Sequence, residues 1–283
     1  MPELPEVEVV RLGLLPAVTG ARILSIEVFD ERSIGRHDGD SAHFEASLVG
    51  RRMLEPRRRG KFLWVPLEGA EALVVHLGMS GQVLVREVGA IPDRHVRIRF
   101  VVESADGREY EIRFADQRIF GSMAVRALDA DGVPDQVAHI ALDPIDDAFD
   151  PASVVAALRK RSQGVKAALL DQQLISGIGN IYADEALWRA RLHYLTPGKR
   201  VSKQRGLELL AHVQDVLDRA LVEGGTSFDT QYVNVNGESG YFAHSLNAYG
   251  QHGKPCSRCG ALIVREKWSN RSSHRCPKCQ RPR

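Results

Sequence analysis

Apolar positions near the start of the chain recur every three to four residues. Val7, Val10, Leu14 and Val18 would share one face of a helix over residues 3–18, and Gly20 follows its end. Glu3 and Glu6 fall in its first turn, where the helix dipole favours acids. From 21 to 128 the period shortens, with short runs at 22–29, 61–67, 71–77, 82–88, 95–103, 108–115 and 121–127. Residues 95–100 alternate cleanly, and Ser104-Ala105-Asp106-Gly107 reads as a turn between two runs. Many short strands joined by turns predict a β-sandwich or barrel. Residues 129–151, rich in Asp and Pro, read as a linker. The helical period then returns at 151–161, with Asp150-Pro151 as cap and first turn, and at 164–173, 181–191 and 203–222. Leu207, Leu210, Val213, Leu217 and Leu221 line one face of the last of these, and Gly224-Gly225 stops it. A Gly-, Asn- and Ser-rich segment at 225–255 is long enough to suggest a functional loop.

At 43% hydrophobic and 26% charged, the chain of 283 residues can bury a real core in one large or two ordinary domains. No apolar run approaches the roughly 20 residues of a membrane helix. The opening Met1-Pro2-Glu3-Leu4-Pro5-Glu6 is acidic where a secretory signal is basic, so a cytoplasmic location is expected. The net charge of +2 hides an asymmetry: residues 253–283 carry nine of the 38 Lys/Arg residues and only Glu266 of the 36 acids. A basic tail on an acidic body suits a polyanion. Arg51, Arg52, Arg57, Arg58, Arg59 and Lys61 form a second basic cluster, a candidate phosphate site or simply a solvated charge run.

All four cysteines lie in that tail as Cys256-x2-Cys259 and Cys276-x2-Cys279, sixteen residues apart. Two close pairs offer four thiolates to one tetrahedral zinc ion, and four protein ligands leave no open position, so the metal would be structural. About thirty residues cannot build a self-sufficient core, and metal binding would supply the missing stability. Residues 261–275 between the pairs can form a hairpin.

Pro2 is the remaining chemical signal. With Met1 removed it becomes a secondary α-amine of pKa near ~8, against ~10.4 for lysine, so more of it is nucleophilic at neutral pH. Attack on an anomeric carbon would give an iminium, an electron sink that eases later eliminations, and Glu3 beside it could move a proton. Proline and glutamate also simply start helices well, and on these residues alone that plainer reading is preferred.

The wider pattern changes that balance. Pro2-Glu3-Leu4-Pro5-Glu6-Val7-Glu8 at the terminus resembles the signature of formamidopyrimidine-DNA glycosylases. So do Arg59-Gly60-Lys61, His76-Leu77-Gly78-Met79-Ser80-Gly81, Gly177-Ile178-Gly179-Asn180-Ile181-Tyr182-Ala183, and the cysteine motif with Arg271. The resemblance runs in order from residue 2 to about 281. It implies an α+β, multidomain fold: an N-terminal helix and β-sandwich (1–130), a linker (131–150), a helical domain with a helix–two-turn–helix and a lesion loop (151–246), and a four-cysteine zinc finger (247–281). It implies Pro2 as the Schiff-base nucleophile, Glu3 as general acid or base with Glu6 behind it, and Lys61 and Arg271 assisting the two eliminations. Met79, Arg118 and Phe120 would fill the space left by an extruded nucleotide, Arg118 facing the orphaned base. Asn180 would hold phosphate at a helix start, and Glu6, His76, His95, Arg161, Lys166 and Tyr249 complete the implied DNA-binding set. Ile175 and Ile178 are expected in the core, and the loop 225–243 over the extruded base.

The implied protein is a monomer that acts on damaged double-stranded DNA, with one structural Zn2+ and no small-molecule cofactor. It would excise oxidised purines and cut the strand by β,δ-elimination. Two departures bear on lesion and opposite-base preference: Ile119 stands where many relatives have a second arginine, and Gln251 follows Tyr249-Gly250 where many have arginine. An endonuclease VIII-like enzyme for oxidised pyrimidines is the near alternative, which Leu4 disfavours because that branch usually has glycine there. A silent zinc-dependent DNA-binding paralogue is the distant one.

Overall fold

A computed structural model describes residues 2–226, 235–236 and 240–282. The chain divides into two compact units, Met1–His139 with Gly224–Gly240, and Ile140–Glu223 with Tyr241–Arg283.

In the first unit, α1 (Leu4–Val18) starts with Pro5 in its first turn, where a missing N–H costs nothing. Two antiparallel four-stranded sheets follow. One has the order β1-β6-β7-β5: β1 (Arg22–Val28), β6 (Val96–Glu103), β7 (Glu109–Asp116) and β5 (Gly81–Glu87). The other has the order β2-β3-β4-β8: β2 (Arg57–Arg59), β3 (Phe62–Pro66), β4 (Glu71–His76) and β8 (Ser122–Ala127). Their inner faces share one core, in which Ile98, Phe100 and Phe114 of one sheet meet Leu63, Val75 and Met123 of the other. Val7, Val10 and Leu14 of α1 enter the same core, as their spacing predicts. The fold is therefore a β-sandwich.

Two elements depart from the sequence reading. Helix α2 (Ser41–Leu48) lies between the expected strands at 22–29 and 61–67, where no element was expected. It is capped by Asp40, which accepts from the His43 N–H, and buries Phe44 and Leu48. Strand β2 consists of three arginines and carries no alternation to read. Three arginines of the basic cluster are paired with acids. Arg51 pairs with Glu71 at 2.5 Å, Arg52 with Glu68 at 3.4 Å, and Arg58 with Glu8 at 2.8 Å.

In the second unit, α3 (Pro151–Leu158) is capped by Asp150, and α4 (Val165–Leu169) is shorter than the expected 164–173. Helix α5 (Asn180–Ala190) and helix α6 (Lys203–Val222) pack together, and α6 buries Leu210, Val213 and Leu217. The finger follows as β9 (Val264–Trp268) and β10 (Arg271–Arg275), paired in register Trp268 to Arg271. No regular element forms over 129–150, yet Val137 and Asp143 are buried there. Gly224–Gly240, which the sequence reading placed with the helical domain, groups with the first unit. The Thr226 N–H and hydroxyl both donate to Glu6, and Val235 packs beside Gly13. The expected lesion loop lies partly outside the described residues.

Candidate functional site

The start of α1 is built to hold Pro2 and Glu3 still. Pro2 is buried and Glu3 is 2% exposed. The Glu3 backbone N–H donates to Glu6 Oε2 at 2.8 Å, in a capping box between the two glutamates. The other oxygen of Glu6 accepts from the Thr226 N–H at 2.7 Å and its hydroxyl at 2.8 Å. Glu6 is therefore buried behind the terminus with both oxygens engaged. Gly225 at φ +81° makes this possible: a side-chain carbon there would lie 3.0 Å from the Glu6 carboxylate.

Lys61 follows the β2–β3 turn at Gly60, whose φ of +57° only glycine adopts freely. Arg58 fixes that turn, donating from Nη1 to the Gly60 carbonyl at 3.0 Å and from Nε to Glu8 at 2.8 Å. Two guanidinium groups therefore surround Glu8, and despite its partial burial Arg11 and Arg58 hold its carboxyl below the usual range. His76 at the end of β4 accepts from the Gly78 N–H at Nδ1, 3.2 Å away, and its ring lies 4.8 Å from that of Phe62. Burial, with Arg36 and Lys61 nearby, lowers its pKa to about 4. At neutral pH it is an uncharged imidazole with its proton on Nε2, a hydrogen-bond donor and not a cation.

Met79 (44% exposed) and Phe120 (56% exposed) stand on two turns of this unit, Arg118 beside Phe120, and exposed His95 lies on a third turn before β6. The sandwich core does not claim Met79 or Phe120. Exposed apolar side chains on turns suit insertion into another surface.

In the second unit, Gly177 (φ +85°) and Gly179 lead into Asn180, the first residue of α5. Gln172 stitches this turn: its Oε1 accepts from the Gly177 N–H, and its Nε2 donates to the Ile178 carbonyl. Ile175 and Ile178 are fully buried, as expected. Asn180 Nδ2 donates to the Ser272 carbonyl at 3.0 Å, tying the helix start to the hairpin beside exposed Arg271. Lys166 is a correction. It is 0% exposed, so it cannot meet phosphate. Its ammonium instead bonds Asp184 Oδ1 at 2.7 Å and the Ser272 carbonyl at 3.1 Å. Arg161 is half-buried and paired with Asp171 at 2.6 Å.

Two acids that the sequence reading passed over organise this region. Asp184 accepts from Lys166, from the Ser273 hydroxyl and from the His274 N–H, fastening β10 to α5. Glu185 accepts from the N–H groups of Asn247, Ala248 and Tyr249, which fixes the approach to the finger, and burial raises its pKa. Adjacent acids inside an otherwise apolar helix were the available signal.

The four cysteine sulfurs lie within 4.8 Å of one another, with Cys259 to Cys276 at 3.4 Å and Cys259 to Cys279 at 3.5 Å. Thiolates around zinc at ~2.3 Å sit about 3.8 Å apart in a tetrahedron, so the cluster fits that ion. Its small apolar cluster adds buried Trp188, Ala248 and Ile263 and partly buried Ala261, with Arg258 stacked 3.8 Å over Trp188. Gln280 closes the last knuckle, accepting from the Cys276 N–H and donating to the Leu192 carbonyl.

Three family models match in the order of these elements. The formamidopyrimidine-DNA glycosylase N-terminal domain matches residues 1–123, its H2TH domain matches 140–232, and the zinc finger found in FPG and IleRS matches 253–282. The chain belongs to the formamidopyrimidine-DNA glycosylase family. A formamidopyrimidine-DNA glycosylase of Leifsonia xyli subsp. xyli is 56% identical, the match covering 99% of this chain and 100% of that one. One of Streptomyces avermitilis is 54% identical over 99% of this chain and 98% of that one. The fold is that of solved family members. Lactococcus lactis Fpg in complex with abasic-site DNA superposes with a TM-score of 0.85 at 29% identity, covering 99% of this chain and 100% of that one. A mutant of the same enzyme in complex with Fapy-dG DNA gives 0.87 at 30% identity over the same shares. The family's zinc finger and the geometry here agree that Cys256, Cys259, Cys276 and Cys279 form one structural zinc site. Among the described residues no helix is long and apolar enough to cross a membrane.

Proposed function

We propose that this chain is a bifunctional DNA glycosylase and abasic-site lyase of base excision repair, taking oxidised purines from double-stranded DNA. It acts as a monomer in the cytoplasm and needs no small-molecule cofactor. The observation that carries the reading is the start of α1: Pro2 buried beside a nearly inaccessible Glu3 whose backbone is tied through Glu6 to Thr226. The capping box itself is ordinary helix initiation; the burial of Pro2 and the further tie from Glu6 to Thr226 go beyond what starting a helix requires.

With Met1 removed, the Pro2 nitrogen attacks C1′ of the damaged nucleotide and the base–sugar bond breaks. Glu3 moves the proton that opens the sugar ring. A secondary amine cannot lose a further proton from nitrogen, so the adduct is an iminium cation and draws electrons from the sugar. The 3′ phosphate departs by β-elimination and the 5′ phosphate by δ-elimination, with Lys61 and Arg271 as the assisting cations. Hydrolysis then returns free Pro2. Met79, Arg118 and Phe120 occupy the space of the extruded nucleotide, whose removal from the stack costs a few kcal/mol. His76 contributes as a neutral donor, His95, Arg161, Asn180 and Tyr249 as further contacts to the strand.

The preference for purines is tested against pyrimidines directly, since the Lactococcus lactis relative has also been solved in complex with DNA containing an oxidised pyrimidine. Duplexes carrying 8-oxoguanine or thymine glycol are incubated in parallel. The expected product is free 8-oxoguanine and a one-nucleotide gap with phosphate on both ends. Faster release of thymine glycol would select the endonuclease VIII-like reading, and binding without any nicking the silent paralogue.

A further inference from the structure

Asp116 ends β7 and is 1% exposed. Its carboxylate accepts four hydrogen bonds from two turns. Oδ1 takes the Ser80 hydroxyl at 2.5 Å and the Arg118 N–H at 3.1 Å, while Oδ2 takes the N–H groups of Phe120 at 2.9 Å and Gly121 at 2.8 Å. The Ser80 hydroxyl oxygen also accepts from the Arg118 N–H at 3.2 Å, joining the turns a second time. The backbone of Asp116 donates to the His95 carbonyl at 2.9 Å, and its own carbonyl accepts from Arg97 Nε at 2.9 Å. One buried residue therefore meets all three segments that carry Met79, His95, and Arg118 with Phe120.

The two turns also fit backbone against backbone. A side-chain carbon at Gly78, where φ is +61°, would lie 2.4 Å from the Gly121 nitrogen, and one at Gly121 would lie 2.7 Å from the His76 carbonyl oxygen. Between the bonded amides, Ile119 holds a φ of +55°, which branched side chains strongly disfavour. Such a conformation persists only where its surroundings impose it. Hydrogen bonds from amides to a carboxylate are about twice as strong as neutral ones, and Asp116 supplies them on both sides of Ile119.

We infer that Asp116 is a positioning residue: it locks Met79, Arg118 and Phe120 into one pre-assembled wedge that opens the duplex at a lesion. The inference rests on the proposed role of those three side chains in filling the vacated stack. A wedge already ordered before contact spares the ordering cost of three side chains and two turns when it enters the helix. Opening a base pair then depends on Asp116, whereas chemistry at a site that has already lost its base depends on it far less.

The test compares single-turnover rates of Asp116→Ala on duplex 8-oxoguanine opposite cytosine and on a preformed abasic site. A 2-aminopurine beside the lesion reports opening. The expected result is a loss of about 30-fold in opening and excision of the paired lesion, against less than about 3-fold at the abasic site. Asp116→Asn keeps an acceptor for Phe120 and Gly121 and should recover most of the loss. Equal losses on both substrates, or none, would overturn the inference. Should Asp116→Ala fail to fold, Ser80→Ala removes one link and must show the same split at smaller size, or the inference falls. Met79→Ala separates the two ideas. If it shows no split, the wedge reading fails; if it shows one and the Asp116 and Ser80 variants do not, only the positioning role fails.

Discussion

Replacing Lys166 by methionine tests how the zinc hairpin is held on α5. Methionine keeps much of the stem's length and removes the charge. Asp184, 1% exposed, would keep the Ser273 hydroxyl, the His274 amide and the His274 ring nitrogen but lose the Lys166 ammonium, and the Ser272 carbonyl would keep Asn180. Breaking one side of a buried ion pair costs about 3–5 kcal/mol, of which the bond to the Ser272 carbonyl is about 1 kcal/mol. The expected loss is therefore about 4 kcal/mol, a large part of the total for a unit of this size. Adding Asp184→Leu removes the stranded charge, so the double variant should be less destabilised than the two single losses together imply, with a coupling of about 2 kcal/mol or more. Urea denaturation followed by tryptophan fluorescence measures this. Of the three tryptophans only Trp64 lies in the first unit, so a Trp64→Phe background makes Trp188 and Trp268 report on the second. A loss below about 1 kcal/mol, or strictly additive effects, would refute the claim that this pair anchors the hairpin.

Three further outcomes follow from the site. Glu3→Gln should slow base excision by at least about 100-fold while leaving cleavage at preformed abasic sites less affected, read by single-turnover assays on both substrates. His76 has a folded pKa of about 4 against ~6.5 when unfolded, so between those values the unfolded chain binds the extra proton. Stability should fall as pH drops from 6.5 towards 4, by up to about 3 kcal/mol, and His76→Gln should flatten that part of the profile measured by urea titration. Chelating the zinc, or Cys276→Ser, should abolish DNA binding and strand cleavage while the far-ultraviolet signature of the sandwich persists, because the apolar cluster around the cysteines is too small to hold the finger without the metal.

The elements with long, regular apolar periods were legible in the sequence: α1, α6 and the seven longer strands of the sandwich. What escaped has physical causes. Helix α2 is eight residues with two buried side chains, too short for a period to stand out, although Asp40 before it was a usable cap signal. Strand β2 is three arginines whose place is set by pairing with β3 and by Glu8, neither visible locally. At the candidate site, the terminal proline, Lys61, Arg271 and the cysteines could be named from pattern and resemblance. The residues that hold them could not. Asp184 and Glu185 act through backbone amides far away in sequence, and Asp116 joins its own turn to the distant Ser80 hydroxyl; a carboxylate in such a role looks like any other acid until the fold is known. Lys166 failed for the same reason: a lone basic residue reads as a surface charge, and only the structure places it at 0% exposure against Asp184.

The central claim is that Pro2 is the nucleophile. Borohydride reduction during turnover of 8-oxoguanine duplex should freeze the iminium as a covalent protein–DNA adduct, and peptide mapping by mass spectrometry locates the bond. The account predicts an adduct on the Pro2 nitrogen in protein lacking Met1, with no trapping from protein that retains Met1. An adduct on a lysine, or full strand cleavage with no trappable adduct, would contradict it.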